Sequence, residues 1–481
     1  MPPDQTSITF SRCLTWTAKA RSAKRVSATA DTAMPSANIR MCLFLIYYFT
    51  LCDTILKFFP LGVAIVLRYL PEAVLYLFVF VLLMKKWRIV SFPLFLPLCA
   101  CALTMTISGI LNSSSIFWVM GDFRIYFRFV AFTYIGWRTT VAPQRITQFI
   151  KGFLGLTIIE LIVGGLELIG GSETRTFFSP VLGLISGAPA VRDNTVLDTG
   201  SWIFGTLQDY NQFGMFMTLS CVLALALYFM KGSRRHLWLA FACALAVVLS
   251  FSRHSLLLLV IALGIFLPFQ RKRILTSSKL RRSVVIFACG CALIVLGGSF
   301  SSALRERVTS VLSPEVMAGD QAANIRLYMT LELTPRFLNA YPLFGQGPIA
   351  PSDAVQFGET DSSQGPTLKA APDVPGWVTF FFTDVIWVMV LGLYGCFGLA
   401  AFGYVFWSIA AAANRIRKEK PNAEGVALAQ AGLVAVVLVA VSGLFSLEMV
   451  ARDTVPVFWF LAGMVFSLAA KPLSKMQVLH H

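Results

Sequence analysis

Apolar runs of membrane length, separated by short polar breaks, cover most of the chain before the pattern stops. At about 20 residues per crossing, the runs predict helices at 41–59, 65–84, 89–111, 123–137, 147–169, 207–230, 237–251, 254–269, 283–301, 377–411, 426–446 and 455–470. From Ser302 to Gly376, charges, prolines and glycines replace them. An interval this long is either functional or disordered, and this one carries helix-like patterning. Over Ile325–Ala340, the apolar Ile325, Leu327, Tyr328, Leu331, Leu333, Phe337 and Leu338 interleave with Arg326, Glu332 and Arg336. That predicts an amphipathic helix lying on the bundle, kinked at Pro335 and ended by Tyr341-Pro342. The run at 377–411 is too long for one simple crossing and predicts a short helix, Trp377–Thr383, that dips back before Val385–Ala411 crosses.

The expected organisation is all-α and polytopic, with about twelve transmembrane helices and both termini cytoplasmic. A disordered cytoplasmic tail (1–40) precedes nine helices (41–301), a partly helical outer loop domain (302–376), three further helices (377–470) and a second cytoplasmic tail (471–481). Residues 1–40 are rich in Ser, Thr, Ala and Arg and lack the apolar core of a secretory signal. Met34 or Met41 could equally be the start, which would leave the preceding residues as untranslated upstream sequence. Composition agrees with a membrane class: 57% of the 481 residues are hydrophobic and 13% charged, against about 25% charged in a soluble domain.

The net charge of +16 raises the possibility of a nucleic-acid partner, and the placement of the basic residues excludes it. They fall in alternate loops, at Lys85, Lys86 and Arg88; Arg138 and Arg145; Lys231, Arg234 and Arg235; Arg271 to Arg282; Arg415 to Lys420; and Lys471 and Lys475. The loops between are acidic or mixed. This is the positive-inside pattern, so the charge reports orientation in a lipid bilayer. Nine of the ten cysteines, from Cys42 to Cys396, lie in or beside apolar runs, where thiols behave as small hydrophobes, and no spacing suits zinc or a disulfide framework.

Charges inside helices are costly and face a partner or a cavity. Arg124 and Arg128 share a face by their four-residue spacing, as do Glu160 and Glu167 at seven. One reading pairs these four with each other to hold the bundle; the other puts Arg124 on the wall of an anionic site. Arg192, Arg253 and Arg326 fall on the same outer side in three different segments. Arginine is always charged and offers a planar fork of donors that fits phosphate oxygens, so a converging set suggests a phosphate or diphosphate ligand. A prenyl diphosphate would have its tail in the bilayer and its head at the helix ends. If a sugar is attached, breaking its anomeric bond loads negative charge on the leaving phosphate, which fixed arginines stabilise without a metal or other cofactor. No Asp-x-Asp metal motif occurs. A base or hydrogen-bond acceptor for the acceptor hydroxyl would complete the chemistry. Each feature also has an ordinary reading: snorkelling or surface-paired arginines, solvated loop carboxylates, a chance glycosylation sequon at Asn112-Ser113-Ser114, and helix-packing glycines at Gly392, Gly395 and Gly398.

Several segments resemble the O-antigen ligase and polymerase superfamily. Leu249-Ser250-Phe251-Ser252-Arg253-His254 is similar to its Ser-Arg signature between two helices. Arg326, followed by Tyr341-Pro342-Leu343-Phe344-Gly345-Gln346-Gly347-Pro348, resembles its loop motif of an Arg ahead of Pro-Leu-x-Gly-x-Gly. Phe204-Gly205 through Asn211 to Gly214 resembles a family helix start, and Asp373-Val374-Pro375-Gly376-Trp377 to Gly392-Leu393-Tyr394-Gly395 resembles the segment that re-enters the membrane. The resemblance implies a GT-C-like glycosyltransferase of the bacterial inner membrane with its loop domain and active site facing the periplasm. It assigns diphosphate binding to Arg253 and Arg326, with Arg192 a third; Arg124, in Gly121-Asp122-Phe123-Arg124, resembles an early family arginine, and Asn211 is expected to position substrate. Ligases of the family carry a histidine shortly after the loop motif, whereas here no histidine lies between His254 and His480 and Asp373 stands near that position. The implied function is therefore a polymerase joining undecaprenyl-diphosphate-linked repeats of an exopolysaccharide or O-antigen, with Asp373 as base and a flippase and a chain-length regulator as candidate partners. The alternatives are a ligase that moves glycan to lipid A core or protein, and a membrane transporter, although no internal repeat is visible and the polar mass gathers on one side.

Overall fold

The computed structural model describes residues 37–56, 58–85, 91–139, 143–178, 203–207, 210–250, 252–278, 281–282, 285, 330–331, 334–348, 385–419, 423–444 and 454–470. Among them there is no strand. The helices in chain order are α1 (Ala37–Leu56), α2 (Leu61–Lys85), α3 (Phe95–Leu111), α4 (Ile116–Phe127), α5 (Val130–Thr139), α6 (Pro143–Phe178), α7 (Tyr210–Lys231), α8 (Arg234–Leu249), α9 (Arg253–Thr276), α10 (Thr334–Ala340), α11 (Ile386–Glu419), α12 (Ala423–Ser442) and α13 (Val455–Ala469). Six described segments are long and apolar enough to cross a membrane: Gly62–Met84, Gln144–Gly171, Tyr210–Lys231, Arg253–Thr276, Ile386–Glu419 and Ala423–Ser442. The protein is thus a multi-pass helical membrane protein, in which backbone polar groups are satisfied within each helix.

α7 is the central helix, buried from Gln212 to Phe229. Where lipid supplies no hydrophobic drive between helices, small residues permit close backbone approach. α5 and α13 show this: a Cβ at Gly463 would stand 2.3 Å from the Thr133 carbonyl oxygen, and Thr133 Oγ1 donates to the Trp459 carbonyl at 2.7 Å.

Polar contacts mark the two ends of the bundle. At one end Glu424 of α12 accepts from Thr147 of α6 and Lys231 of α7, Arg273 donates to the Phe229 carbonyl at 2.8 Å, and the Arg417 guanidinium covers the Phe269 ring at 4.3 Å. This end carries the basic loops. At the other end lie the C-terminus of α6, the starts of α7, α9 and α11 and the C-terminus of α12, where Trp387 Nε1 donates to the Ala440 carbonyl at 2.6 Å.

Several predicted boundaries change. The single span expected at 123–137 is two helices, α4 and α5, with turns at Arg128 and Phe129. The helix expected to stop at 169 runs on as α6 through Gly171, whose φ of 64° kinks it. Pro335 does not kink a longer helix within the described residues. It lies in the first turn of α10, where its missing N–H costs nothing. The expected span 283–301 (apart from Val285), the expected helix Trp377–Thr383 and both tails, except the end of the first, lie outside the described residues.

Candidate active site

The junction predicted to hold Arg253 is built from serines. α8 ends at Leu249 and α9 begins at Arg253, with Ser252 as its N-cap. Ser252 Oγ accepts the Ser255 N–H at 3.0 Å and donates to Asn211 Oδ1 at the start of α7. Ser255 Oγ in turn donates to the Asn211 carbonyl at 3.2 Å. Ser250, Ser252 and Ser255 are all fully buried, and a Cβ at Gly214 would stand 2.0 Å from Ser255 Oγ. α7 and α9 are therefore locked together where Arg253, half-buried, occupies the first helical position. There the helix dipole adds to its positive charge. The Asn211 side chain reaches Ser252, so its visible task is to fix the turn that carries Arg253.

A second set of bonds fixes the approach to Asn211. Glu167 Oε2 accepts the N–H groups of Phe204 and Gly205, each at 2.9 Å. Glu160 accepts the Thr206 N–H at 2.9 Å and the Thr206 hydroxyl. Both carboxylates are completely buried; bonding to backbone donors offsets their desolvation. Gly205 has φ 63°, and a Cβ there would stand 2.2 Å from Glu160 Oε2. These contacts correct the expectation that the two glutamates pair with Arg124 and Arg128.

Arg124 has a different partner. Its Nε and one terminal nitrogen each lie 2.9 Å from an oxygen of Glu72, a two-pronged pair in which Glu72 is buried and the arginine side chain is 50% exposed. Tyr76 also donates to Glu72, at 3.1 Å. Arg124 and Arg128 border a cavity of about 470 Å³ lined by α2, α3 and α4. The Arg128 guanidinium lies over the Phe129 ring at 4.6 Å.

The loop motif docks on a break in α11. Gly395 has φ 65°, and the chain there runs against residues 342–347. Gln346 N–H donates to the Gly392 carbonyl and Gly347 N–H to the Leu393 carbonyl, both at 2.9 Å; Cys396 N–H donates to Pro342 at 3.0 Å and Phe397 N–H to Leu343 at 3.1 Å. Two backbones in contact leave no room for side chains. A Cβ at Gly345 (φ 68°) would stand 2.3 Å from the Leu393 carbonyl carbon, and one at Gly395 would stand 2.3 Å from the Leu343 carbonyl. α3 and the turn after it complete the clasp. Ser108 Oγ donates to the Leu393 carbonyl at 2.7 Å, Asn112 Nδ2 to the Gly345 carbonyl at 3.1 Å, and Ser114 Oγ to the Pro348 carbonyl at 3.0 Å. Tyr394, fully buried, donates to the Asp122 carboxylate. Gly395 is thus the point of breakage and not a helix-packing glycine, and Asn112 and Ser114 are loop anchors.

Of the candidate residues, Arg253 and Asn211 come together through Ser252, and Arg124, on α4, is paired with Glu72. Arg192, Arg326 and Asp373 lie outside the described residues. Sequence reasoning passed over Glu72, Asp122 and Tyr394. Glu72, an acid inside an apolar run, was detectable by the rule that such charges require partners.

A helical membrane bundle that carries a stitched arginine corner and a glycine-clasped loop at one end defines the class: a polytopic membrane protein. Residues 238–403 match the model of the O-antigen ligase family. This stretch, about a third of the 481 residues, runs from α8 into the broken α11 and contains both Arg253 and the loop motif; the match supports the O-antigen ligase and polymerase superfamily, whose members are membrane glycosyltransferase-like enzymes. No curated protein matches the chain.

Proposed function

We propose that the protein is a polysaccharide polymerase of the bacterial inner membrane that transfers an undecaprenyl-diphosphate-linked glycan onto a second lipid-linked repeat at the periplasmic face. The observation that carries this reading is Arg253, fixed by the Asn211–Ser252 bond at the end of the bundle opposite the basic loops and inside the family-matched stretch. Arg253 and Arg326 would hold the donor diphosphate, with Arg192 and Arg124 in support. The acceptor hydroxyl attacks the anomeric carbon, the carbon to oxygen bond breaks with inversion, and the electron pair leaves on the diphosphate. Fixed guanidinium groups take up that charge in place of a metal. The hydroxyl proton passes to a base, for which Asp373 is the choice. Polymerase is preferred over ligase because no histidine lies between His254 and His480.

The test is a deletion strain complemented with variants. Arg253→Ala should reach the membrane in normal amount yet lower polymer yield about 100-fold or more, and Arg253→Lys should restore only part, since the two-pronged geometry is lost. Full-length polymer at normal yield from Arg253→Ala would overturn the assignment. Single repeats accumulating in the deletion strain support a polymerase. Long chains accumulating on the lipid carrier would instead mark a ligase that moves finished glycan to lipid A core or protein.

A further inference from the structure

Between the two left-handed glycines of the docked loop stands Gln346. Its backbone is held by the 2.9 Å bond to the Gly392 carbonyl, and its neighbours Gly345 and Gly347 have φ values of 68° and 81°. The residue is 9% exposed, yet neither Oε1 nor Nε2 has a hydrogen-bond partner. The polar side chains around it do not share this state. Ser108, Asn112 and Ser114 each bond a carbonyl of the clasp, and Tyr394 bonds Asp122.

An unpaired buried donor or acceptor costs about 1–3 kcal/mol, so a rigid loop that presents a whole unpaired carboxamide is built to receive a partner. A carboxamide has one accepting oxygen and two donor hydrogens. A diphosphate only accepts, so it would satisfy the NH₂ and repel Oε1. A sugar hydroxyl both donates and accepts, and an acylamino group offers an N–H and a C=O. These satisfy both ends of the side chain. We propose that Gln346 reads a hydroxyl or acylamino group on a sugar of the lipid-linked glycan and so determines sugar specificity. The proposal rests on the glycosyl-transfer reading above and adds a residue to it.

The test uses full-length protein in lipid nanodiscs, with lipid-linked repeat units extracted from the deletion strain as the probe. Gln346→Leu keeps the size and removes both polar atoms. Its Tm without the probe should equal or exceed that of wild type, because an unpaired buried amide is gone. The stabilisation by added repeat units should shrink, and KM for them should rise roughly ten-fold or more, with kcat falling much less than KM rises. A lower Tm without the probe would show that the amide serves the protein's own chain, and wild-type probe binding and KM would show that it reads nothing; either overturns the proposal. If wild type binds and transfers the repeat units while Gln346→Leu matches it, Gln346 alone is misassigned. If wild type neither binds nor transfers them, the glycosyltransferase reading falls and this proposal falls with it.

Discussion

The Arg253 corner and the Gly395 clasp lie at the same end of the bundle and are held by opposite means. In the corner, side chains reach backbone and one another: Glu160 and Glu167 grip residues 204–206, and Asn211 grips Ser252. In the clasp, backbone meets backbone through four N–H to carbonyl bonds, and glycines leave the space. A charge needs a fixed direction, which polar side chains supply. A loop docked on a broken helix needs the removal of side chains. The corner should therefore lose function by degrees as its side chains are trimmed, whereas the clasp should fail at the first added carbon.

The largest effect is expected from Gly395→Ala. Its left-handed backbone costs an alanine about 1–2 kcal/mol, and the new Cβ would stand 2.3 Å from the Leu343 backbone, which cannot rotate away as a side chain can. Polymer should be lost, and size-exclusion profiles of a fluorescent fusion should show a smaller folded fraction. Normal polymer from this variant would break the contrast between the two regions.

Ser252→Ala comes next. It removes an N-cap worth about 1 kcal/mol and leaves Asn211 Oδ1 without its donor, so activity should fall about ten-fold while the protein stays in the membrane. Asn211→Ala should do the same, and the double variant should be little worse than either, because both act through one bond. Strict additivity would show that Asn211 meets substrate directly.

The smallest effect is expected from Ser114→Ala, which removes a partly exposed bond to the Pro348 carbonyl. A loss of about 0.5–1 kcal/mol should lower Tm by a small amount, and polymer length should hold.

Much of this arrangement was legible in the chain. Apolar runs announced membrane helices because about 20 apolar residues in a row cross the bilayer as a helix, which satisfies its own backbone in lipid. The short polar gap Phe251-Ser252-Arg253 announced an arginine at a helix junction because only a few residues separate two spans. The loop motif was visible as a family resemblance, although its partner, the break at Gly395, was read as ordinary packing. The two carboxylates of α6 were recognised as costly, yet their donors in residues 204–206 were not.

The sequence by itself determined that the chain is a multi-pass helical membrane protein and where the charges stand along it. These depend on local composition and on periods of a few residues. Only the tertiary structure decided that Arg124 answers to Glu72 across 52 positions, that Asn112 holds Gly345 across 233, and that Tyr394 meets Asp122 across 272. A hydrogen bond acts over about 3 Å, and nothing local to either partner reveals the other until the helices between them have packed.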